Sequence, residues 1–342
     1  MNVPRTRRSQ FSGNPVPSPK ESGEGLSAQA GHRSVLLHEA VDALDIHKDD
    51  VVVDATLGGA GHAQEIAKRL GQKGTLIGFD LDEEAIERSR KALTGVSPRV
   101  ELVQADFRDL THQLETRGIK KITKALFDLG WSSYQLDSGR GFSLRTDEPL
   151  LMTYAKDGAV TARTVVNEWQ EGTLADILYG FAQERYSRRI AKAILEYRAK
   201  RPIETSRELA DIVSGAIPAG YRHGKIHPAT KTFQALRIAV NDELGALSAG
   251  ITSAFDMLEE GGRVAVITFH SVEDRAVKQL FASFEKEGRG RRLTKKPIVP
   301  SENEVKENRR ARSAKLRIFE KRNDKKITEN KQIQALHISG QV

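Results

Sequence analysis

No cysteine occurs anywhere in the 342 residues. That excludes a thiolate nucleophile, a Cys-built zinc site and radical chemistry on a Cys-bound iron–sulfur cluster. Long apolar runs are missing too. The longest strongly apolar strand, residues 264–269, falls far short of the roughly 20 residues that span a bilayer. The N-terminus lacks the apolar core of a signal peptide, and no internal repeat is visible. These absences predict a soluble, cytoplasmic chain with no membrane partner, built as one large or two modest domains. They leave monomer and weak homodimer equally open.

What is present begins with charge. The net formal charge is +8, and it is unevenly placed. Residues 285–342 hold 17 Lys and Arg against 8 Asp and Glu, so the rest of the chain is close to neutral. Arg289-Gly290-Arg291-Arg292 and Arg309-Arg310-Ala311-Arg312 are the dense clusters. Clustered cations attract a phosphate backbone, although a solvated basic tail would look the same. Residues 1–30, rich in Ser, Gly and Pro, read as a disordered tail, and residues 321–342 as a basic flexible one.

The strongest signal is a strand that ends in an acid and enters a glycine turn: Val51-Val52-Val53-Asp54, then Thr56-Leu57-Gly58-Gly59-Ala60-Gly61-His62. A helix is expected after it, then a second strand ending in Asp80. Glycines let the backbone approach a ligand, and an acid closing the second strand can accept hydrogen bonds from ribose hydroxyls. A third strand ends near Asp106-Phe107, which places a carboxylate and a ring where an adenine would lie. A fourth ends in Asp128. The spacing alone fits a dinucleotide or S-adenosylmethionine. Asp54 favours the latter, because a diphosphate would be repelled there and a sulfonium with an ammonium group would not. Without cysteine, a methyl transfer must be direct displacement onto nitrogen or oxygen, since attack on cytosine carbon 5 ordinarily needs a thiolate.

The next parallel strand reads Arg263-Val264-Ala265-Val266-Ile267-Thr268-Phe269, introduced by Gly261-Gly262. Some 130 residues separate it from the fourth strand, far more than a crossover needs. Most of them read as helix. Tyr186, Ile190, Ala193, Ile194 and Tyr197 share one face, with Arg185, Arg188, Arg189 and Lys192 opposite. The fold expected is therefore α/β: a Rossmann-like methyltransferase sheet from residues 31–135 and 241–320. A helical substrate-recognition domain, residues 136–240, is inserted after strand 4. Alternation around Leu316 and Ile318 predicts a last strand. His270 with Glu273 and Asp274 reads as a helix-start cap with a structural or RNA-positioning role, and no metal site is expected.

The motifs resemble the family of ribosomal RNA small-subunit methyltransferase H, cytosine N4-methyltransferases of 16S rRNA. The resemblance runs in order from about residue 32 to 320. It rests on His32-Arg33-Ser34-Val35-Leu36-Leu37-His38-Glu39, the glycine turn, and Asp128-Leu129-Gly130-Trp131-Ser132-Ser133-Tyr134-Gln135 with Arg140-Gly141-Phe142-Ser143. His227-Pro228-Ala229-Thr230 through Asn241, Phe269 to Arg275, and Arg312 to Arg317 complete it. The resemblance implies S-adenosylmethionine as cofactor and 16S rRNA, in the small subunit or its precursor, as partner. Carried over by motif, cofactor contacts fall on Gly59, Ala60, Gly61, His62, Asp80, Phe107, Asp128 and Gln135. Asp128 is also the candidate catalytic residue, as an acceptor for the amino group of the target cytidine near the decoding centre. Trp131 and Tyr134 depart from the small aliphatic residue and proline usual in the family, and 149–155 lacks its two acids and arginine. Two other classes stay open: a nicotinamide-dependent dehydrogenase on the same sheet, and a non-catalytic RNA-binding assembly factor.

Overall fold

The computed structural model describes residues 33–129, 139–144, 146–154, 158–222, 224 and 226–322. Seven strands form one sheet: β1 (Val51–Asp54), β2 (Thr75–Asp80), β3 (Arg99–Gln104), β4 (Ile122–Asp128), β5 (Leu258–Thr268), β6 (Gly290–Arg292) and β7 (Lys315–Lys321). Their order is β3-β2-β1-β4-β5-β7-β6, with β1 to β5 parallel and β7 antiparallel to both neighbours. The order reverses at β1, between β2 and β4. In an open α/β sheet that switch point opens a crevice at the carboxyl ends of the strands.

Apolar strand residues alternate between two cores because successive side chains point to opposite faces. Val52, Leu126, Ala265 and Ile267 face helices α1 (Leu37–Leu44) and α2 (Gly61–Arg69). Val53, Ala125, Phe127, Val264 and Val266 face the other core. That second core takes apolar side chains from α4 (Leu110–Glu115), α11 (Glu243–Met257) and α12 (Ser271–Lys286). Helix α3 (Glu83–Ala92) links β2 to β3, capped by Asp82 accepting from the Glu84 amide.

Between β4 and β5 run α5 (Ala162–Glu168), α6 (Glu171–Ala182), α7 (Ser187–Arg198), α8 (Ser206–Ala216), α9 (Ala219–Arg222) and α10 (Thr230–Asn241). They share a third apolar core, in which Ile190, Ile194, Leu178 and Leu236 are fully buried or nearly so. Arg188, Arg189 and Lys192 on α7, and Arg185 just before its N-cap Tyr186, are exposed, as the amphipathic pattern requires. Helix α10 meets α11 at Asp242, whose left-handed backbone (φ 46°) turns the chain back toward the sheet.

Two details differ from the sequence expectation. Gly261-Gly262 does not introduce β5. The strand starts at Leu258, opposite Ile122, and the glycines lie in an excursion before pairing resumes at Arg263 with Lys124. Arg291 and Arg292, read as part of a nucleic-acid cluster, belong to β6 and pair with Glu320 and Glu285. Three residues are too few to show a strand period. The other cluster behaves differently: Arg309, Arg310 and Arg312 are exposed on a 3₁₀ turn (Arg309–Ser313), preceded by α13 (Glu302–Glu307). Because Lys315 pairs with Thr268 at the carboxyl end of β5, this turn lies at the crevice edge of the sheet.

Candidate active site

At the turn after β1, the Gly58 amide (φ 51°) donates to Asp80 Oδ2 at 2.9 Å, and the Asp82 amide donates to Oδ1 at 2.9 Å. Asp80 thus ties the glycine turn to the end of β2 while keeping further lone pairs for a ligand. Burial raises its carboxyl pKa, with the two backbone donors opposing the shift. Ala60 adopts the left-handed region (φ 63°) as the cap of α2. Gly61 has no freedom to carry a side chain, because a Cβ there would lie 2.1 Å from Ser34 Oγ.

Below the turn sit Asp54, His62 and Asp128. His62 is buried; its Nε2 lies 3.2 Å from the Val35 carbonyl and its Nδ1 lies 3.5 Å from Asp128 Oδ2. Burial lowers the His62 pKa, so the ring is neutral, donates through Nε2 and turns a lone pair toward Asp128. The opposite wall of this group is Asp54, fully buried with Oδ2 lacking a hydrogen-bond partner. Burial pushes the Asp54 carboxyl up to about 6, against the pull of His62 and the Thr56 amide.

A folded-state pKa above the unfolded value of 3.8 means that the folded chain binds this proton more tightly. The resulting stabilisation is present below the unfolded pKa and is lost as pH rises through about 6. Asp54→Asn keeps an acceptor for the Thr56 amide and cannot ionise. It should therefore stabilise the ligand-free protein by up to roughly 3 kcal/mol at neutral pH, at about 1.4 kcal/mol per unit, with little gain in acid. Urea denaturation of both proteins across this range checks it. An equal difference at every pH would rule out Asp54 as the titrating group.

The next wall is the loop after β3. Asp106 accepts from the Arg108 amide at 2.9 Å and from Arg108 Nε at 2.8 Å. Arg108 also reaches Asp242 at 3.2 Å, joining this loop to the start of α11. The Phe107 ring packs edge-on against Phe127 at 5.6 Å. It fits closely because α11 offers Gly250, where a Cβ would come within 2.3 Å of the ring.

A buried ionic group closes the side opposite the glycine turn. The Arg237 guanidinium is paired with Glu243, Nε to Oε1 at 2.6 Å and Nη2 to Oε2 at 2.9 Å. Burial works against its charge, but Glu243 outweighs it and raises the pKa further. The Tyr154 hydroxyl donates to Glu243 at 2.7 Å, and the Tyr154 amide donates to Asn241 Oδ1 at 2.8 Å. Glu273 and His270 adjoin this group. They form the capping box of α12, in which Glu273 accepts from the Phe269 amide at 2.8 Å and His270 Nδ1 accepts from the Glu273 amide at 3.3 Å. Ligand atoms of Glu243, His270 and Glu273 lie within 4.8 Å of one another, a spacing that could hold a metal. Their lone pairs are already committed to Arg237, Tyr154 and the helix amides, and a buried guanidinium beside them repels a cation. Asp274 turns away to Arg317 (2.7 Å) and Lys315 (3.0 Å). Burial opposes its ionisation, but those donors hold its pKa below the usual value.

These walls enclose a cavity of about 480 Å³. Gly59, His62, Asp80, Phe107 and Asp128 line it. Ala60 and Gly61 shape its turn from behind. Gln135 lies outside the described residues, as do Trp131 and Tyr134. Sequence reasoning missed Ser34, Arg108, Tyr154, Asn241 and Glu243, all lining residues. Ser34 and Asn241, each within a motif already singled out, carried a local signal; Arg108 and Glu243 did not. Among the described lining residues seven carboxylates (Asp80, Asp82, Asp106, Asp128, Asp242, Glu243, Glu273) face two cations, Arg108 and Arg140. Arg108 is held by Asp106 and Asp242, and Arg140 donates to the Tyr154 carbonyl at 2.7 Å.

The MraW methylase family model matches residues 29–322, most of the chain. The chain belongs to the MraW methylase family. Three relatives, each called ribosomal RNA small subunit methyltransferase H, show the extent of the likeness. The Paenibacillus sp. protein is 45% identical over 85% of this chain and 99% of its own length. The Clostridioides difficile protein is 44% identical and the Brevibacillus brevis protein 43%, each over 85% of this chain and 98% of its own.

Proposed function

We propose that this MraW-family protein is an S-adenosylmethionine-dependent methyltransferase that acts in the cytoplasm on the N4 amino group of a cytidine in small-subunit ribosomal RNA. The observation that carries the cofactor is the acidic cavity. A diphosphate would meet carboxylates with no free cation among the described lining residues to offset them, whereas a sulfonium and an ammonium are attracted. Lys is absent from the described lining, so a phosphate-binding dehydrogenase site is disfavoured. The rRNA substrate is supported by the relatives' shared activity and by full-length similarity to them.

In this reading Asp80 accepts from the ribose hydroxyls and Phe107 packs against the adenine. The bound cofactor supplies an electrophilic methyl group for in-line displacement. The cytosine amino nitrogen is a poor nucleophile because its lone pair is delocalised into the ring. Asp128, at the carboxyl end of β4, accepts an amino proton and so orients that lone pair. Its Oδ2, 3.5 Å from His62 Nδ1, can share the proton the product releases. With no cysteine in the chain, no covalent ring adduct forms. The helices between β4 and β5, roughly residues 136–240, act as the substrate-recognition part, since Tyr154, Asn241 and the segment 158–160 reach the cavity from that side.

Mapping N4-methylcytosine in small-subunit rRNA from cells with and without this protein tests the assignment. Two variants separate its parts. Asp80→Ala should weaken S-adenosylmethionine binding by about 1.5–3 kcal/mol, the range for hydrogen bonds to a charged group; unchanged calorimetric affinity would remove Asp80 from the site. Replacing Arg309, Arg310 and Arg312 together by Gln should weaken rRNA binding and flatten its salt dependence, since fewer counterions are released. Cofactor affinity should stay the same.

A further inference from the structure

We infer that the exposed face of α7, with Tyr221 beside it, is a docking surface for a single-stranded RNA segment flanking the target cytidine, an inference that rests on the rRNA reading above. Arg185, Arg188, Arg189 and Lys192 recur at helical spacing on one exposed face. Like charges three and four residues apart on a helix repel. Among the described residues only Lys192 has an ion pair in compensation, with Glu196 at 3.8 Å. The contrast with β6 is direct, because Arg291 and Arg292 are each matched by a carboxylate. Four cations kept together, three of them with no carboxylate partner among the described residues, call for an anionic partner.

The aromatic side of the patch makes that partner single-stranded. Tyr221 is 54% exposed. Its hydroxyl accepts from Arg185 Nη1 at 3.2 Å, and the Arg185 guanidinium lies 5.6 Å from its ring centroid. Tyr186 meets the same ring edge-on at 5.3 Å, fixing its orientation. A pre-oriented ring and a guanidinium plane offer faces for unstacked bases, whereas duplex bases present none.

Helix α10 sets the distance to the site. Lys231, in its first turn, donates to the Gln183 carbonyl at 3.1 Å, two residues before Arg185. Asn241, its last residue, lines the cavity. At 1.5 Å per residue these ends are about 16 Å apart, roughly five stacked nucleotides at 3.4 Å each. The patch therefore grips RNA a few nucleotides from the base being modified.

The full-length protein is titrated with a fluorescein-labelled uridine 12-mer and with an RNA duplex of equal length. Tyr221→Ala should weaken single-strand binding about tenfold, the weight of one stacked base, and Tyr221→Phe should restore it. Arg188→Gln with Arg189→Gln, on an exposed helix face, should weaken it similarly and lower the salt slope by about 1.4, two phosphates' worth. Affinity for S-adenosylmethionine should be unchanged in all three. Parental single-strand affinity in both Tyr221→Ala and the double Gln variant overturns the proposal, and so does an equal loss of duplex binding. Methylation of rRNA lacking the N4 mark by the unaltered protein is read in parallel. Methylation with parental RNA binding in every variant rejects the patch alone, and no methylation rejects the rRNA reading itself.

Discussion

Asp128→Asn is expected to lower turnover on small-subunit rRNA by about a hundredfold or more, the scale for losing a positioned proton acceptor. The RNA dissociation constant should change little. The amide has nearly the shape of the carboxylate and keeps one acceptor oxygen, but it loses the charge and turns a donor toward its neighbours. Two neighbours feel that change: the amino group to be methylated, and His62 Nδ1 at 3.5 Å from Oδ2. The main-chain position should persist, because the Asp128 amide donates to Thr56 Oγ1 at 2.7 Å and the Leu129 amide to the Ile267 carbonyl at 3.1 Å, neither involving the carboxylate. Single-turnover methylation followed by nucleoside mass spectrometry reads rate and product together. Full activity in the Asn variant, or 5-methylcytidine as the product, would overturn the direct-transfer mechanism.

The second large effect is on stability. Arg237→Met should destabilise the protein by about 3–5 kcal/mol, because it leaves Glu243 buried without its countercharge. Glu243 is held by Arg237 and Tyr154 and stands beside Glu273 and His270, so its largely buried charge meets solvent only through the cavity it lines. Tyr154→Phe removes one neutral donor and leaves the ion pair intact, so it should cost less, about 1.5–3 kcal/mol, the range for a hydrogen bond to a charged group. Chemical denaturation of the two variants gives the ordering. A loss below 1 kcal/mol for Arg237→Met would show that Glu243 takes up its proton or finds solvent when its partner is removed.

The parts of the site readable in sequence are those whose chemistry is local. The turn from Gly58 to Gly61 and the acids Asp54, Asp80 and Asp128 sit at strand ends, where period-two apolar runs stop and a polar residue begins. The cap made by His270 and Glu273 is likewise a three-residue relation. Arg108, Tyr154 and Glu243 have no such signature. Each reads as an ordinary polar residue on a helix or loop, and each becomes a lining residue only through folding: Arg108 meets Asp242 and Tyr154 meets Glu243 from far away in sequence, and Glu243 meets Arg237 only because the chain turns back between α10 and α11. The basic clusters show the same limit. Composition treats Arg291-Arg292 and Arg309-Arg310-Arg312 alike, but Glu320 on β7 and Glu285 on α12 neutralise the first pair, and the second is exposed at the crevice edge.

The sequence by itself determined the alternating core of the sheet, the glycine turn and the absence of any thiol route, because each depends on residue type and short-range spacing. Only the tertiary structure decided which acids are buried, which arginines are matched by carboxylates, and that Glu243 and Glu273 accept from the protein's own donors. Burial and counter-ions come from segments that folding brings together, as when Arg108 meets Asp242 and His62 meets Asp128, and a carboxylate's charge state is set by what surrounds it rather than by its neighbours in the chain.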